Sequence, residues 1–224
     1  WYQLPLFRGA KEDLSEEDAL AGTAEGLRRA VHRQLVADVP VGAFLSGGLD
    51  SSSVVAFARE QAPDIRCFTM ESVGGQDRGT ADDLPYARRV ARHLNVPLDV
   101  VRIDATRMAD DLEHMIVQLD EPLADPAPLN VLYISRLARE QGIKVLLSGA
   151  GGDDLFTGYR RHVAVQYEYL WSWLPGRVRV GLDRWTSGLD RRNPLFRRLA
   201  KLFNGAGLEG DARLAAYFAW AREA

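Results

Sequence analysis

The amino-acid sequence predicts an α/β fold, a parallel sheet with helices on both faces, followed by an all-helical tail. Short apolar runs alternate with helix-patterned segments, and two of those runs end in glycine-rich corners that open a helix. Such alternation implies βαβ units, whose parallel strands are covered on both faces. After Asp154 the alternation stops and the pattern turns helical and rich in aromatics, which predicts the tail.

Residues 1–14 read as an irregular segment with an aromatic start. Ser15-Glu-Glu-Asp18 then offers a serine cap with acid in the first turn, and Leu20, Leu27, Val31 and Leu35 form the apolar positions behind it. Strands are expected at residues 41–45, 65–70, 98–103 and 144–147, and helices at 51–60, 82–94, 108–119 and 129–141. Asp82-Asp83 reads as a helix cap or a ligand contact. In the tail, Pro175-Gly176 and Asn193-Pro194 mark breaks between helices. Tyr159, Tyr167, Tyr169, Trp171 and Trp173 are expected to pack those helices or to face the rest of a longer protein. The expected divisions are 1–14, 15–165 and 166–224, the last of them truncated. The sequence lacks an initiator Met and stops inside an apolar, helix-prone run, as a piece of a longer protein does.

A chain of 224 residues suffices for one good-sized domain or one and a fraction. A hydrophobic share of 46% supports a buried core. The net charge of −3 speaks against a protein that coats nucleic acid. The single Cys67 excludes an internal disulfide framework and a multi-cysteine zinc site; it reads as a packed residue and fits a reducing cytoplasm. No apolar run approaches the roughly 18 residues of a membrane span. His32, His93, His114 and His162 show no metal-ligand spacing. From Trp171 onward ten Arg or Lys stand against five Asp or Glu, a basic helical face or a contact for a phosphate-bearing partner.

Val41-Gly-Ala-Phe-Leu-Ser-Gly-Gly-Leu-Asp-Ser-Ser-Ser53 has the makings of an anion site. Gly47 and Gly48 admit left-handed backbone angles and leave the main chain open to a ligand. The first-turn N–H groups and the helix dipole then face a phosphate, and Ser46, Ser51 and Ser52 add hydroxyl donors. Asp50 beside a phosphate implies a divalent cation between them. The ATPase loop with its lysine and the dinucleotide fingerprint are both absent, as is Gly-x-Ser-x-Gly around Ser46. A strand–turn–helix corner with a capping serine is the plain structural alternative.

Val145-Leu-Leu-Ser-Gly-Ala-Gly-Gly-Asp-Asp-Leu-Phe-Thr-Gly-Tyr159 repeats the arrangement. Asp153 and Asp154 suit either a positive helix end or Mg²⁺. Arg160, Arg161 and His162 follow closely enough to touch phosphate, or form a chance basic turn. Asp120-Glu121 beside Pro122, with Asp125 nearby, reads as a general base or substrate contact, or as solvated acids at a helix end.

The first corner resembles the pyrophosphate loop of the ATP pyrophosphatases. Both corners together, with Leu119-Asp-Glu-Pro-Leu-Ala-Asp-Pro126 between them, resemble the asparagine synthase family over residues 15–162. The resemblance implies a PP-loop fold of the adenine nucleotide alpha-hydrolase type and an ATP-dependent, AMP-forming carbon–nitrogen ligase. Ser46, Gly47, Gly48, Asp50, Ser51 and Ser52 would hold the pyrophosphate portion of ATP. Backbone at Leu45, Met70 and Gly149, with Ser148 alongside, would line the adenosine pocket, Met70 by its place after the second strand. Asp50 and Asp153 would ligate Mg²⁺. The implied substrates are a small-molecule carboxylate, adenylated with release of pyrophosphate, and ammonia or an amine that displaces AMP.

Three departures from the family pattern qualify the substrate. Ala150 stands where aspartate-specific synthetases carry glutamate, which points to another carboxylate. The glutaminase domain with its N-terminal cysteine is missing from this chain and is expected as a partner. The lysine expected to steady the departing pyrophosphate falls beyond Ala224. No nucleic-acid or membrane partner is expected, and a homo-oligomer is compatible with the reading. Two alternatives stay open: an ATP-binding module without turnover, and another adenylating enzyme of the same class, ring-closing or tRNA-modifying.

Overall fold

The computed structural model describes residues 14–73, 83–121, 123, 127–190 and 192–219, with only the backbone of Arg160. The chain divides into two compact units, residues 1–150 and 151–224.

The N-terminal unit runs α1 (Glu16–Gln34), β1 (Val41–Phe44), α2 (Leu49–Gln61), β2 (Cys67–Val73), α3 (Leu84–Leu94) and β3 (Leu98–Asp104). It continues with α4 (Ala105–Asp110), α5 (Leu112–Gln118), α6 (Ala127–Glu140) and β4 (Val145–Leu147). Helix α1 starts where the Ser15 hydroxyl accepts from the Asp18 amide at 3.1 Å, as the cap predicts. Helix α3 stops at Asn95, which takes the left-handed conformation with φ 51°.

Among the described residues the sheet has four strands in the order β3-β2-β1-β4, all parallel. Ala43 in β1 lies opposite Cys67 on one side and Leu147 on the other. The chain steps outward from β1 through β2 to β3, then returns to add β4 on the far side of β1. The strand order therefore reverses between β1 and β4. In open α/β sheets a crevice opens at that point, beyond the carboxyl ends of the strands.

Alternation along the strands divides the core. Ala43, Leu45, Cys67 and Leu147 pack with Val31 of α1, Val55 and Ala58 of α2, and Ala87 and Ala91 of α3. Phe68, next in sequence to Cys67, faces the other way, onto Ile134 and Ala138 of α6. Ile103 joins Met115, Leu129 and Tyr133 there. Each such large side chain contributes about 1.5–3 kcal/mol by burial. The parallel sheet covered on both faces is thus the fold that the sequence predicts.

Four local expectations need correction. Helix α2 opens at Leu49 rather than Ser51, with Gly48 at its N-cap. Strand β2 continues to Val73, so Met70 lies inside the strand opposite Val101 instead of after it. The helix expected at 108–119 is two helices meeting at Asp111, where ψ is −3°. The Asp104 carboxylate caps the first of them early, accepting from the Arg107 amide at 2.8 Å, and Asp111 is drawn to the Tyr133 hydroxyl at 2.9 Å. Helix α3 opens at Leu84 with Asp83 at its N-cap position, and Asp82 lies outside the described residues.

The C-terminal unit holds α7 (Gly152–Leu155), α8 (Arg160–Gln166), a 3₁₀ turn at Tyr167–Leu170, α9 (Gly176–Ser187), α10 (Pro194–Leu202) and α11 (Gly210–Phe218). Both expected breaks occur: Pro175 precedes α9, and the Asn193 side chain caps α10 by accepting from the Leu195 amide at 2.9 Å. Trp171 packs with Ala164, Ala206 and Tyr217, whereas Trp173 is 74% exposed. Arg179, only 5% exposed, donates to the carbonyls of Leu174, Ala206 and Leu208 and to Glu209. No described helix is long and apolar enough to cross a membrane.

Candidate functional site

The first corner leaves β1 at Leu45, whose amide donates to the Phe68 carbonyl at 2.9 Å. Gly47 turns the chain with φ +82°. A Cβ there would overlap the backbone of Tyr86 and Ala87, so the start of α3 rests directly on the corner. Glycine is needed at 47 for both its angle and its bareness. Gly48, expected to share the left-handed angle, is extended with φ −69°. Its role is that of an N-cap without a side chain.

Ser51 organises the corner from within. Its hydroxyl accepts from the Ser46 amide at 3.3 Å, shares a hydrogen bond with Ser46 Oγ at 3.0 Å, and donates to the Gly48 carbonyl at 3.3 Å. It is buried, a strut beneath the loop. Ser46 Oγ also accepts from the Gly48 amide at 3.3 Å. The first helical bond recorded at this end runs from the Ser52 amide to the Gly48 carbonyl at 3.0 Å. The amides of Leu49, Asp50 and Ser51 have no carbonyl one turn back, which gives the loop an anion-binding polarity. Ser52 Oγ is buried without a hydrogen-bond partner among the described residues.

The second corner leaves β4, the strand beside β1. Ser148 Oγ accepts from the Ala150 amide at 3.1 Å and tightens the turn. A Cβ on Gly149 would stand 2.6 Å from the Ser51 amide nitrogen. The two corners are therefore in contact, the bare backbone of one lying on the first turn of the other's helix. Ser46, Gly47, Gly48, Asp50, Ser51 and Gly149 come together in this way at the strand-order reversal.

Met70 is half-buried, and its side chain packs into the α6-side core. Asp120 and Glu121 lie on an exposed bend after α5, and among the described residues neither is bonded to the corners. Asp125 and Pro122 lie outside the described residues.

Within the C-terminal unit, Gly151 opens α7 at φ +91°. The Asp153 carboxylate lies over Gly158, where a Cβ would overlap Oδ1. Asp154 pairs with Arg161 at 3.3 Å, and the Arg161 guanidinium stacks 4.0 Å from the Tyr159 ring centroid. The His162 ring contacts those of Tyr159 and Phe218, at 5.7 Å and 5.4 Å between centroids. Among the described residues no three His, Cys, Asp or Glu groups gather to hold a metal ion unaided.

Sequence reasoning missed two features of the site. It placed Ser51 toward a ligand, whereas its hydroxyl braces the loop. It also overlooked Tyr86 and Ala87 behind Gly47, for which no local signal exists.

The family model for asparagine synthase matches residues 22–223. Amidase chyE of Penicillium rubens is 35% identical over 159 residues, covering 65% of this chain and 23% of that protein. Glutamine-hydrolyzing asparagine synthetase 1 of Bacillus subtilis is 34% identical over 146 residues, 65% of this chain and 22% of that protein. The chain thus spans less than a quarter of the length of these two relatives. A solved structure of the NH3-dependent NAD synthetase from Campylobacter jejuni is 12% identical, covers 85% of this chain and 97% of that one, and has a TM-score of 0.42.

Proposed function

The chain belongs to the asparagine synthase family, and on that premise we propose that it is the ATP-using part of an amide-forming ligase. The contact of Gly149 with the Asp50–Ser51 backbone carries the reading, because it joins the two glycine corners into one cradle at the strand-order reversal. A cradle of bare backbone and first-turn amides suits a polyphosphate.

In the proposed reaction a carboxylate oxygen of the substrate attacks the α-phosphorus of ATP, and the bond to the β-phosphate oxygen breaks to release pyrophosphate. Ammonia or an amine then attacks the acyl carbon, and AMP leaves. The amides of Leu49, Asp50 and Ser51 hold the departing phosphates, and Ser51 keeps Ser46 and Gly48 in place so that little reorganisation is needed. Leu45, its amide engaged by the Phe68 carbonyl, would line the adenosine pocket through its backbone. Ala150, small and exposed, favours a carboxylate other than aspartate. A glutaminase domain is the proposed nitrogen source.

Mg²⁺ belongs to the same proposal, with Asp50 of the first corner as a carboxylate that would hold it. An aspartate beside phosphate oxygens supplies the oxygen donors that a hard cation takes. When bound, the ion neutralises phosphate charge.

Incubating the full-length protein with ATP, Mg²⁺, ammonia and a panel of carboxylates is expected to yield AMP and pyrophosphate in equal amounts. ADP and phosphate as products would refute the proposal. The exposure of Asp120 and Glu121, away from any bond to the corners, favours a second reading, ATP binding without turnover. A trapped acyl-adenylate would end that one.

A further inference from the structure

The C-terminal unit carries an open cavity of about 190 Å³ lined by Arg161, Lys201, Asn204, Tyr217, Phe218 and Ala219. Its charged lining is cationic. The Arg161 guanidinium lies 4.0 Å from the ring centroid of Tyr159 and 5.2 Å from that of Phe218. Stacking of this kind fixes the plane of the fork before a ligand arrives. One terminal nitrogen reaches Asp154 Oδ1 at 3.3 Å, and the Nε–H is buried without an acceptor. A single carboxylate, itself 60% exposed, leaves most of a five-donor group unused. Lys201, exposed near the end of α10, has no ion-pair partner among the described residues.

The groups that would repel an anion are already engaged. The Leu202 carbonyl accepts from the Tyr217 hydroxyl at 3.1 Å, the Ala216 carbonyl accepts from the Asn204 amide, and Glu168 is held by Arg213 at 2.5 Å. Size limits the ligand. At about 190 Å³ the cavity lies below the roughly 300 Å³ at which pockets for drug-sized ligands begin. Phosphate or pyrophosphate fits that volume.

We propose that this cavity binds a small phosphate-type oxyanion, gripped by the planar fork of Arg161 and by Lys201 as a point charge. Every lining residue belongs to the C-terminal unit, so the site stands independently of the ATP-using reading of the corners.

Calorimetric titration of the 224-residue chain with inorganic phosphate and with pyrophosphate at low ionic strength tests it. The expected result is a bound equivalent, besides any held at the corners, that Lys201→Glu weakens by about tenfold or more and Asp50→Ala leaves unchanged. Lys201 is exposed, so Lys201→Glu keeps the fold, as circular dichroism should verify. Tighter binding of pyrophosphate would identify the by-product of an adenylating reaction as the ligand; tighter binding of phosphate would identify the free ion. If neither anion shows a Lys201-sensitive equivalent, or if Asp50→Ala abolishes that equivalent, the proposal is overturned.

Discussion

Gly149 lies over the first turn of α2 so closely that a Cβ on it would stand 2.6 Å from the Ser51 amide nitrogen and 2.8 Å from the Asp50 carbonyl carbon. The corner after β4 is seated on the corner after β1, and a methyl group would push them apart. Gly149→Ala is expected to cost about 1–3 kcal/mol of stability and to weaken ATP binding by about tenfold or more. Denaturant unfolding and ATP titration check both. Unchanged affinity in the variant would mean that the corners do not act as one cradle.

Ser51 is the hydroxyl on which the first corner hangs, with partners at the Ser46 amide, Ser46 Oγ and the Gly48 carbonyl. Ser51→Ala should lose about 1–3 kcal/mol, because buried groups are left unpaired. Among the described residues Ser53 bonds only the Leu49 carbonyl of its own helix, so Ser53→Ala should cost less than about 1 kcal/mol. Equal losses in the two variants would contradict this ranking.

Burial of Cys67, assisted by the charge of Asp99, pushes its thiol from 9.0 up to about 12. The fold prefers the protonated form. That contribution to stability is complete below pH 9.0 and is lost as pH rises through about 12. A disulfide-exchange reagent at pH 8 is expected to modify Cys67 only as fast as the protein opens. The alkaline fall in melting temperature above pH 9 should be shallower in Cys67→Ala. Prompt labelling of native protein would count against the assignment.

Arg179 ties α9 to the turn before α11 through the carbonyls of Ala206 and Leu208 and through Glu209, and holds the start of its own helix through the Leu174 carbonyl. Arg179→Ala is expected to cost on the order of 3 kcal/mol, since buried carbonyls lose their donors. Glu209 is exposed, so Glu209→Gln should cost about 1 kcal/mol or less. Denaturant midpoints of the two variants separate them, and a reversed order would remove Arg179 from the centre of this unit.

The sheet and both corners were legible because they rest on local signals. Parallel strands buried on both faces read as short apolar runs, and the glycine–serine–acid clusters directly follow β1 and β4. What was lost depends on neighbours. Strand β2 runs on through Glu71 and Ser72 because it pairs with β3 to its end, where Glu71 meets Arg102 at 2.6 Å; neither residue looks like a strand on its own. Gly47 and Gly48 are alike in sequence, yet only Gly47 abuts Tyr86 and Ala87 and takes the positive φ. The break at Asp111 depends on Tyr133, far along the chain. Arg179 was hidden among the arginines of a basic tail, where a surface face is the ordinary expectation.

Strands β1 and β4 are side by side in space, yet among the described residues they are the first and last strands in chain order. Closing so long a loop is entropically slow, and nothing local rewards it beforehand. On the ribosome, the serine-rich turn must therefore wait in water until its counterpart has emerged. Ligand capture becomes a clock for maturation: in refolding, it should appear with the last pairing of the sheet and no sooner.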